Sequence, residues 1–278
     1  MPRRRRVRAA PATAPFAICR APNDLWATDF KGWFRTGDGQ RCDPLTLTDG
    51  ASRFLLRCQA LPRTDAPHVR PILEAAFREY GLPRVIRSDN GPPFASVAAG
   101  GLSRLAVWWI KLGIVPERIQ PGHPEENGRL ERFHLTLKQE TAAPPAATGR
   151  AQQRAFDRFR QEYNHERPHE ALGQQPPATV YTASARPYPA RVPDAVPYPD
   201  GYVRRYVHPN GEITWHHHRV FISQALAGEH AGLHEEDDGA WRVYFGPIAL
   251  GWIEPGQPRL RRPRHPDHPL NVLPMLPV

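Results

Sequence analysis

Lysine is almost missing from this chain. Only Lys31, Lys111 and Lys138 occur among its 37 basic residues, so the other 34 are arginine. A guanidinium grips phosphate through a rigid planar fork, and with 28 acids the formal net charge is +9. That balance favours a polyanionic partner, although a GC-rich coding preference accounts for the arginine-to-lysine ratio by itself. Cysteine is scarce as well. Cys19, Cys42 and Cys58 are odd in number and form no CxxC pair, which excludes a disulfide framework and a cysteine zinc site and fits a reducing cytoplasm. Long apolar runs are lacking: Leu105–Ile110 is stopped by Lys111, far short of a bilayer span, so no membrane partner is expected. Residues 1–23 contain no acid and open with Arg3 to Arg6, but Pro11 and Pro15 interrupt any apolar core, and the stretch reads as a basic tail rather than a targeting segment.

What is present is an ordinary globular composition, 40% apolar and 23% charged over 278 residues, enough for about two domains. Proline, at 33 residues, requires long loops or tails. Leu25–Phe34, Cys42–Thr48 and Phe54–Leu61, separated by Gly37-Asp38-Gly39 and Asp49-Gly50, predict an antiparallel meander. Val69, Ile72, Leu73, Ala76, Phe77 and Tyr80 form the stripe of a core-facing helix, capped by Thr64 or Asp65 and ended by Gly81. A strand Val85–Ser88 runs into Asp89-Asn90-Gly91-Pro92-Pro93. Next come a helix with Leu105, Trp108, Trp109 and Leu112, and an edge strand Ile114–Ile119. Helices over 125–141, burying Leu130, Phe133 and Leu137, and over 151–165, burying Phe156, Phe159 and Tyr163, complete a core of residues 24–170. Residues 171–200 read as a proline-rich linker. Residues 201–254 read as a small all-β barrel, with hairpin turns at Asn210-Gly211 and Asp238-Gly239. A Pro/Arg-rich tail carrying Arg259, Arg261, Arg262 and Arg264 fills 255–278. In the run His216 to His218, strand alternation puts only His216 and His218 on one face, and no third ligand for zinc is evident.

Three acids stand out. Asp29 falls mid-strand among apolar neighbours, where an unpaired carboxylate costs several kcal/mol. Asp89 ends a strand, and Glu131 lies on a helix whose Asn127 and Lys138 share its face. Each has an ordinary use: Asp29 as an arginine's partner, Asp89 opening an Asp-Asn-Gly turn, Glu131 as a solvated helix acid. Together, carboxylates without a buried basic partner suit hard divalent cations. The order three strands, helix, strand, helices sets the ends of the first and fourth strands side by side. The expected fold class is therefore α/β, a ribonuclease H-like mixed sheet flanked by helices, with a small C-terminal all-β barrel.

The segments Trp26-Ala-Thr-Asp29-Phe-Lys-Gly32, Arg87-Ser-Asp89-Asn-Gly-Pro-Pro-Phe94 and Pro121-Gly-His-Pro-Glu-Glu-Asn-Gly128-Arg-Leu-Glu131-Arg-Phe-His-Leu-Thr-Leu-Lys138 resemble the DDE catalytic core shared by insertion-sequence transposases and retroviral integrases. The resemblance covers about residues 22–182 and extends into Tyr163-Asn-His-Glu-Arg-Pro-His169. It implies that Asp29, Asp89 and Glu131 are a catalytic triad holding two Mg²⁺ or Mn²⁺ ions and that Lys138 contacts DNA; Asn127, Arg132, His123 and Lys31 are the further expected DNA contacts. The step from Asp89 to Glu131 is longer than usual in the family, which leaves Glu126 or Glu125 as competing third ligands; Glu131 is preferred because it follows Gly128 by three. The implied activity is metal-dependent DNA cleavage and strand transfer, with element ends and target DNA as partners, a homo-oligomer as the assembly, and no small-molecule cofactor. Relatives carry a helix-turn-helix region upstream, whereas 23 residues precede Asp24 here, so the expectation includes a truncated copy. The alternative is a catalytically incomplete DNA-binding remnant, with a hydrolytic nuclease third. The barrel is similar to modules that contact DNA or neighbouring subunits in such transposases, and a structural cap is its other reading.

Overall fold

The computed structural model describes residues 19–118 and 128–262. The meander forms as β1 (Leu25–Phe30), β3 (Arg41–Asp49) and β4 (Leu55–Leu61), each antiparallel to the next in space. The predicted first strand does not run to Phe34. It breaks after Phe30 because Gly32 takes φ +93°, a region open to glycine and costly for other residues, and the chain rejoins the start of β3 as the short β2 (Phe34–Arg35).

The helix α1 (Ala66–Tyr80) starts where the Asp65 side chain accepts the His68 backbone N–H, satisfying an otherwise unpaired amide. It returns the chain to β5 (Val85–Ser88), which pairs parallel with β1, and α2 (Arg104–Lys111) then leads to β6 (Val115–Arg118), parallel with β5. The strand order β4-β3-β1-β5-β6 is the ribonuclease H-like mixed sheet.

Strand alternation sends two apolar sets to opposite faces. Trp26, Leu45, Leu47 and Ile86 pack with Leu73 and Phe77 of α1 and with Trp108 and Trp109 of α2. On the other face Leu55 and Cys58 pack with Phe133 and Leu137 of α3 (Gly128–Thr141) and with Phe156, Phe159 and Tyr163 of α4 (Gly149–His165). The outer edge of β4 is closed by α4: the Asn164 amide accepts from Leu55 N at 2.8 Å and donates to Leu55 O at 3.0 Å, and the Gln153 amide does the same for Ala60 N and Cys58 O. Covering an edge in this way removes a template for unwanted pairing.

The stretch read as a linker lies against the core. Tyr181 stacks on Phe54 with ring centroids 4.3 Å apart, and the Arg186 guanidinium donates to the carbonyls of Pro83, Leu112 and Gly113. Its prolines set an extended path, and its aromatic residues and Arg186 fasten that path down.

The C-terminal module is a curled sheet of five strands, β7 (Val203–Tyr206), β10 (His230–Glu235), β11 (Trp241–Phe245), β12 (Ile248–Glu254) and β13 (Gln257–Arg261), in the order β13-β12-β11-β10-β7. The hairpin of β8 (Glu212–Trp215) and β9 (His218–Phe221) sits with β8 beside β7 and β9 beside β13, bringing the sheet edges round on themselves. β13 lies inside the stretch read as a tail. Asp238-Gly239 joins the paired β10 and β11. Asn210-Gly211 turns the chain, but its flanking strands pair with β10 and β9 rather than with each other. Of the histidine run only His218 lies in a strand: His216 and His217 hold φ +43° and +66° and form the two-residue turn between β8 and β9, the geometry a tight hairpin demands. The module and the core share α2, whose Leu105, Trp108 and Trp109 face the mixed sheet while Ala106, Val107 and Ile110 belong to the barrel's core. No described helix is long and apolar enough to cross a membrane.

Candidate active site

The β1–β5 ladder pairs Leu25 with Val85, Trp26 with Ile86 and Ala27 with Arg87. Asp29 and Asp89 each lie two residues beyond the last pair of that ladder, so the two parallel strands bring an aspartate to the same end of the sheet. Asp29 is the next-to-last residue of β1 rather than a mid-strand one, and its carboxylate is 19% exposed. One of its oxygens accepts the Phe30 backbone N–H at 2.8 Å. Asp89 is the first residue beyond β5. Burial pushes its carboxyl pKa up, opposed by a hydrogen bond from the Gly91 backbone, and its Oδ1 is buried without a hydrogen-bond partner among the described residues.

The third acid belongs to α3. Phe133 and Leu137 seat this helix on Phe159 and Tyr163, which fixes the face that meets the sheet. Glu131 lies in the first turn, one turn ahead of His134. Its side chain is outside the described residues, as are Asn127, His123, Glu125 and Glu126. The His134 ring reaches the acids' side of the sheet: Nε2 is 3.0 Å from Thr46 Oγ1, and Nδ1 is 3.9 Å from an Asp29 carboxylate oxygen. Burial, helped by the Lys31 charge, lowers the His134 pKa to about 4. The ring is therefore neutral at neutral pH, and its approach to Asp29 is a contact rather than an ion pair. Thr46 is the strand partner of Asp29 and also donates to the Asp29 carbonyl at 3.2 Å. Thr46 was not legible in the sequence, because only the β1–β3 register singles it out. His134 carried one usable signal, its spacing of one helical turn from Glu131.

Of the expected DNA contacts, Lys31 and Lys138 come together around one cavity with Trp33 and Phe34, and Arg132 is exposed on α3. Arg87 spends its charge elsewhere, hydrogen-bonding the buried Glu117 across the β5–β6 pair. Among the described residues no group of three His, Cys, Asp or Glu side chains is gathered as a metal set. Asp29 and Asp89, brought to the same end of the sheet, the latter with a buried oxygen that has no partner among the described residues, offer the oxygen donors that a hard divalent cation takes.

A mixed sheet in the order β4-β3-β1-β5-β6 with helices packed on both faces places the chain in the ribonuclease H-like fold class. Two integrase core domain models match residues 20–124 and 112–177, and the chain belongs to the integrase core domain family. It is 32% identical over 181 residues to an uncharacterized 39.2 kDa protein of insertion element IS476 from Xanthomonas euvesicatoria, covering 65% of this chain and 49% of that protein. It is 31% identical over 163 residues to an uncharacterized 31.7 kDa protein of insertion element IS407 from Burkholderia multivorans, covering 58% of this chain and 56% of the relative. The chain thus spans about half the length of each relative. Among solved structures it is similar to the HTLV-2 integrase catalytic core domain in complex with magnesium, with a TM-score of 0.46 and 14% identity over 59% of this chain and 99% of that one.

Proposed function

We propose that this chain is the catalytic part of a DDE polynucleotidyl transferase that cuts DNA and joins the resulting 3′ end to a target strand. The observation that supports the reading is that the parallel β1 and β5 bring Asp29 and Asp89 to the same end of the sheet, with one Asp89 oxygen buried and unpartnered among the described residues. Asp29, Asp89 and Glu131 would hold two Mg²⁺ or Mn²⁺ ions. When bound, such ions activate a water or 3′-hydroxyl and neutralise charge gathering at the phosphate. The chain's own groups do the rest. His134, neutral and in contact with both Asp29 and Thr46, fixes α3 against β1 and β3 and so sets where Glu131 meets the aspartates. Lys31, Lys138 and Arg132 would supply positive charge for backbone phosphates, and Asn127 and His123 would add polar contacts. The partners are element ends and target DNA, and two ends handled together imply a homo-oligomer.

The test is joining of a pre-cut DNA end to a supercoiled plasmid with Mg²⁺ or with chelator. Divalent-dependent joining, lost in Asp29→Asn, is expected. Nicking without joining identifies a nuclease instead. DNA binding with neither reaction identifies a remnant that has kept the fold and lost the chemistry.

A further inference from the structure

The break between β1 and β2 makes a cavity. Lys31, Gly32 and Trp33 step out of the sheet, and together with Phe34, Lys138 and Ala142 they line a space of about 180 Å³. That is about six times the share of one liquid water, ~30 Å³, and below the ~300 Å³ at which pockets for drug-sized ligands begin. It has the scale of one nucleotide component, a base or a phosphate.

The lining is chemically divided. On one side stands Trp33, 56% exposed, with the Arg41 and Arg35 guanidinium carbons 5.1 and 5.8 Å from its ring centre. An isolated exposed tryptophan needs no explanation, but this one adjoins two of the chain's three lysines. Lys31, part-buried, and Lys138, exposed, line this cavity together, and neither makes an ion pair among the described residues. Two ammonium groups lining one cavity attract an anion to it. The cavity also has a fixed place relative to the acids. Lys31 follows Asp29 by two residues, and Lys138 follows His134 by one helical turn, on the same face of α3.

We propose that this cavity is a single-nucleotide subsite of the DNA-joining site: an unpaired base of a DNA end lies against Trp33, and its phosphate sits between Lys31 and Lys138. The inference rests on the proposed function for the identity of the ligand. An unpaired base is required because a paired, stacked base offers no free face to an aromatic ring, and stacking on a ring tolerates any base. A neighbouring subsite of this kind would hold an end frayed so that the adjacent phosphodiester reaches the aspartates.

The experiment uses the full chain in chelator, where no joining occurs, and measures by fluorescence anisotropy the affinity for three labelled duplexes of equal length at fixed salt. One is blunt, one has a short single-stranded end, and one has that end made abasic. The single-stranded end is expected to bind about tenfold tighter than the abasic one, a stacking-sized effect. Trp33→Ala should erase that difference and Trp33→Phe should keep most of it. Lys31→Gln and Lys138→Gln should weaken all three duplexes and each lower the salt slope by about one. Equal affinity of the parent chain for natural and abasic ends, or a preference that survives Trp33→Ala, overturns the subsite. The two readings separate cleanly. A chain that joins ends in Mg²⁺ yet ignores the abasic change loses the subsite and keeps the activity. A chain whose base preference disappears with Trp33→Ala but that never joins ends keeps the subsite and loses the activity.

Discussion

Asp29 and Asp89 each lie two residues beyond Ala27 and Arg87, the last pair of the parallel β1–β5 ladder, Asp29 inside β1 and Asp89 just past the end of β5. Because Asp89 is pushed up by burial, its ionised form costs the fold something that its protonated form does not. The sign follows from linkage. With a folded pKa above the unfolded one, the penalty is absent below the unfolded value and fully present above the folded value. Asp89→Asn should therefore raise the Tm at pH 7 in chelator, and the gain should vanish below about pH 3.9, the ordinary aspartate value. Mg²⁺ should raise the Tm of the parent chain and leave that of Asp89→Asn unmoved. Thermal melts across pH decide it: a variant destabilised equally at both pH values would show the carboxylate to be a structural hydrogen-bonding group.

The same geometry fixes an activity prediction. Asp29→Asn removes a charge at the end of β1 while keeping the side chain's shape and its ability to accept the Phe30 N–H. Loss of metal-based charge stabilisation is worth several kcal/mol, so joining should fall by about 10³-fold or more with an unchanged melting profile. Glu131→Gln should match it, and Glu126→Gln should not. The opposite ranking in a joining assay would move the third ligand to the segment before α3.

Much of this was legible in the residues, for identifiable reasons. The stripes of α1 and α4 each bury one face, so periodicity places Leu73, Phe77 and Phe156 in the core, whereas α2 and β3 are buried on both sides. The motifs around Asp29 and Asp89 named the two acids together, and the β1–β5 pairing brings their strands together. The break after Phe30 was not, because Lys31-Gly32-Trp33 continues a plausible alternation and only the backbone of Gly32 departs from it. The turn at His216 and His217 hid behind residues that seldom adopt positive φ. Asparagine and glycine at 210 and 211 gave a familiar hairpin signal where the partner strands lie elsewhere. Thr46 could not be found at all, since its link to Asp29 is a register between distant segments.

The helix α2 packs into both the core and the barrel, which predicts that the two unfold as one cooperative unit. Ile110 is 4% exposed within the barrel's core, and the turn at Gly246 lies so close that an added Cβ would stand 2.5 Å from Ile110 Cγ2. Ile110→Ala opens a cavity that costs about 2–5 kcal/mol. The expected result is one denaturant transition at a lower midpoint, seen equally by probes in the barrel and in the mixed sheet. Two separated transitions, with only the barrel probe shifted, would show that the two cores melt independently despite the shared helix. Gly246→Ala, strained at φ +53° and clashing with the same methyl, should destabilise in the same sense.

The cysteines report on the layer that carries Glu131 and His134. Cys58 and Cys42 are 3% and 2% exposed, and Cys58 lies beneath Phe133 and Leu137 of α3. Burial pushes the Cys42 thiol up to about 11 and raises Cys58 further, while Cys19, less buried, is raised by burial and by Asp49 and Asp24. Thiolate is the reactive form, so at pH 8 a disulfide reagent should modify Cys19 slowly and leave Cys42 and Cys58 untouched until denaturant is added. Modification of Cys58 in the native chain therefore requires α3 or α4 to lift from the sheet. If the third carboxylate is held by that seating, any condition that exposes Cys58 must also abolish joining; rapid labelling of Cys58 in a chain that still joins DNA would break the link between the packed helix layer and the site.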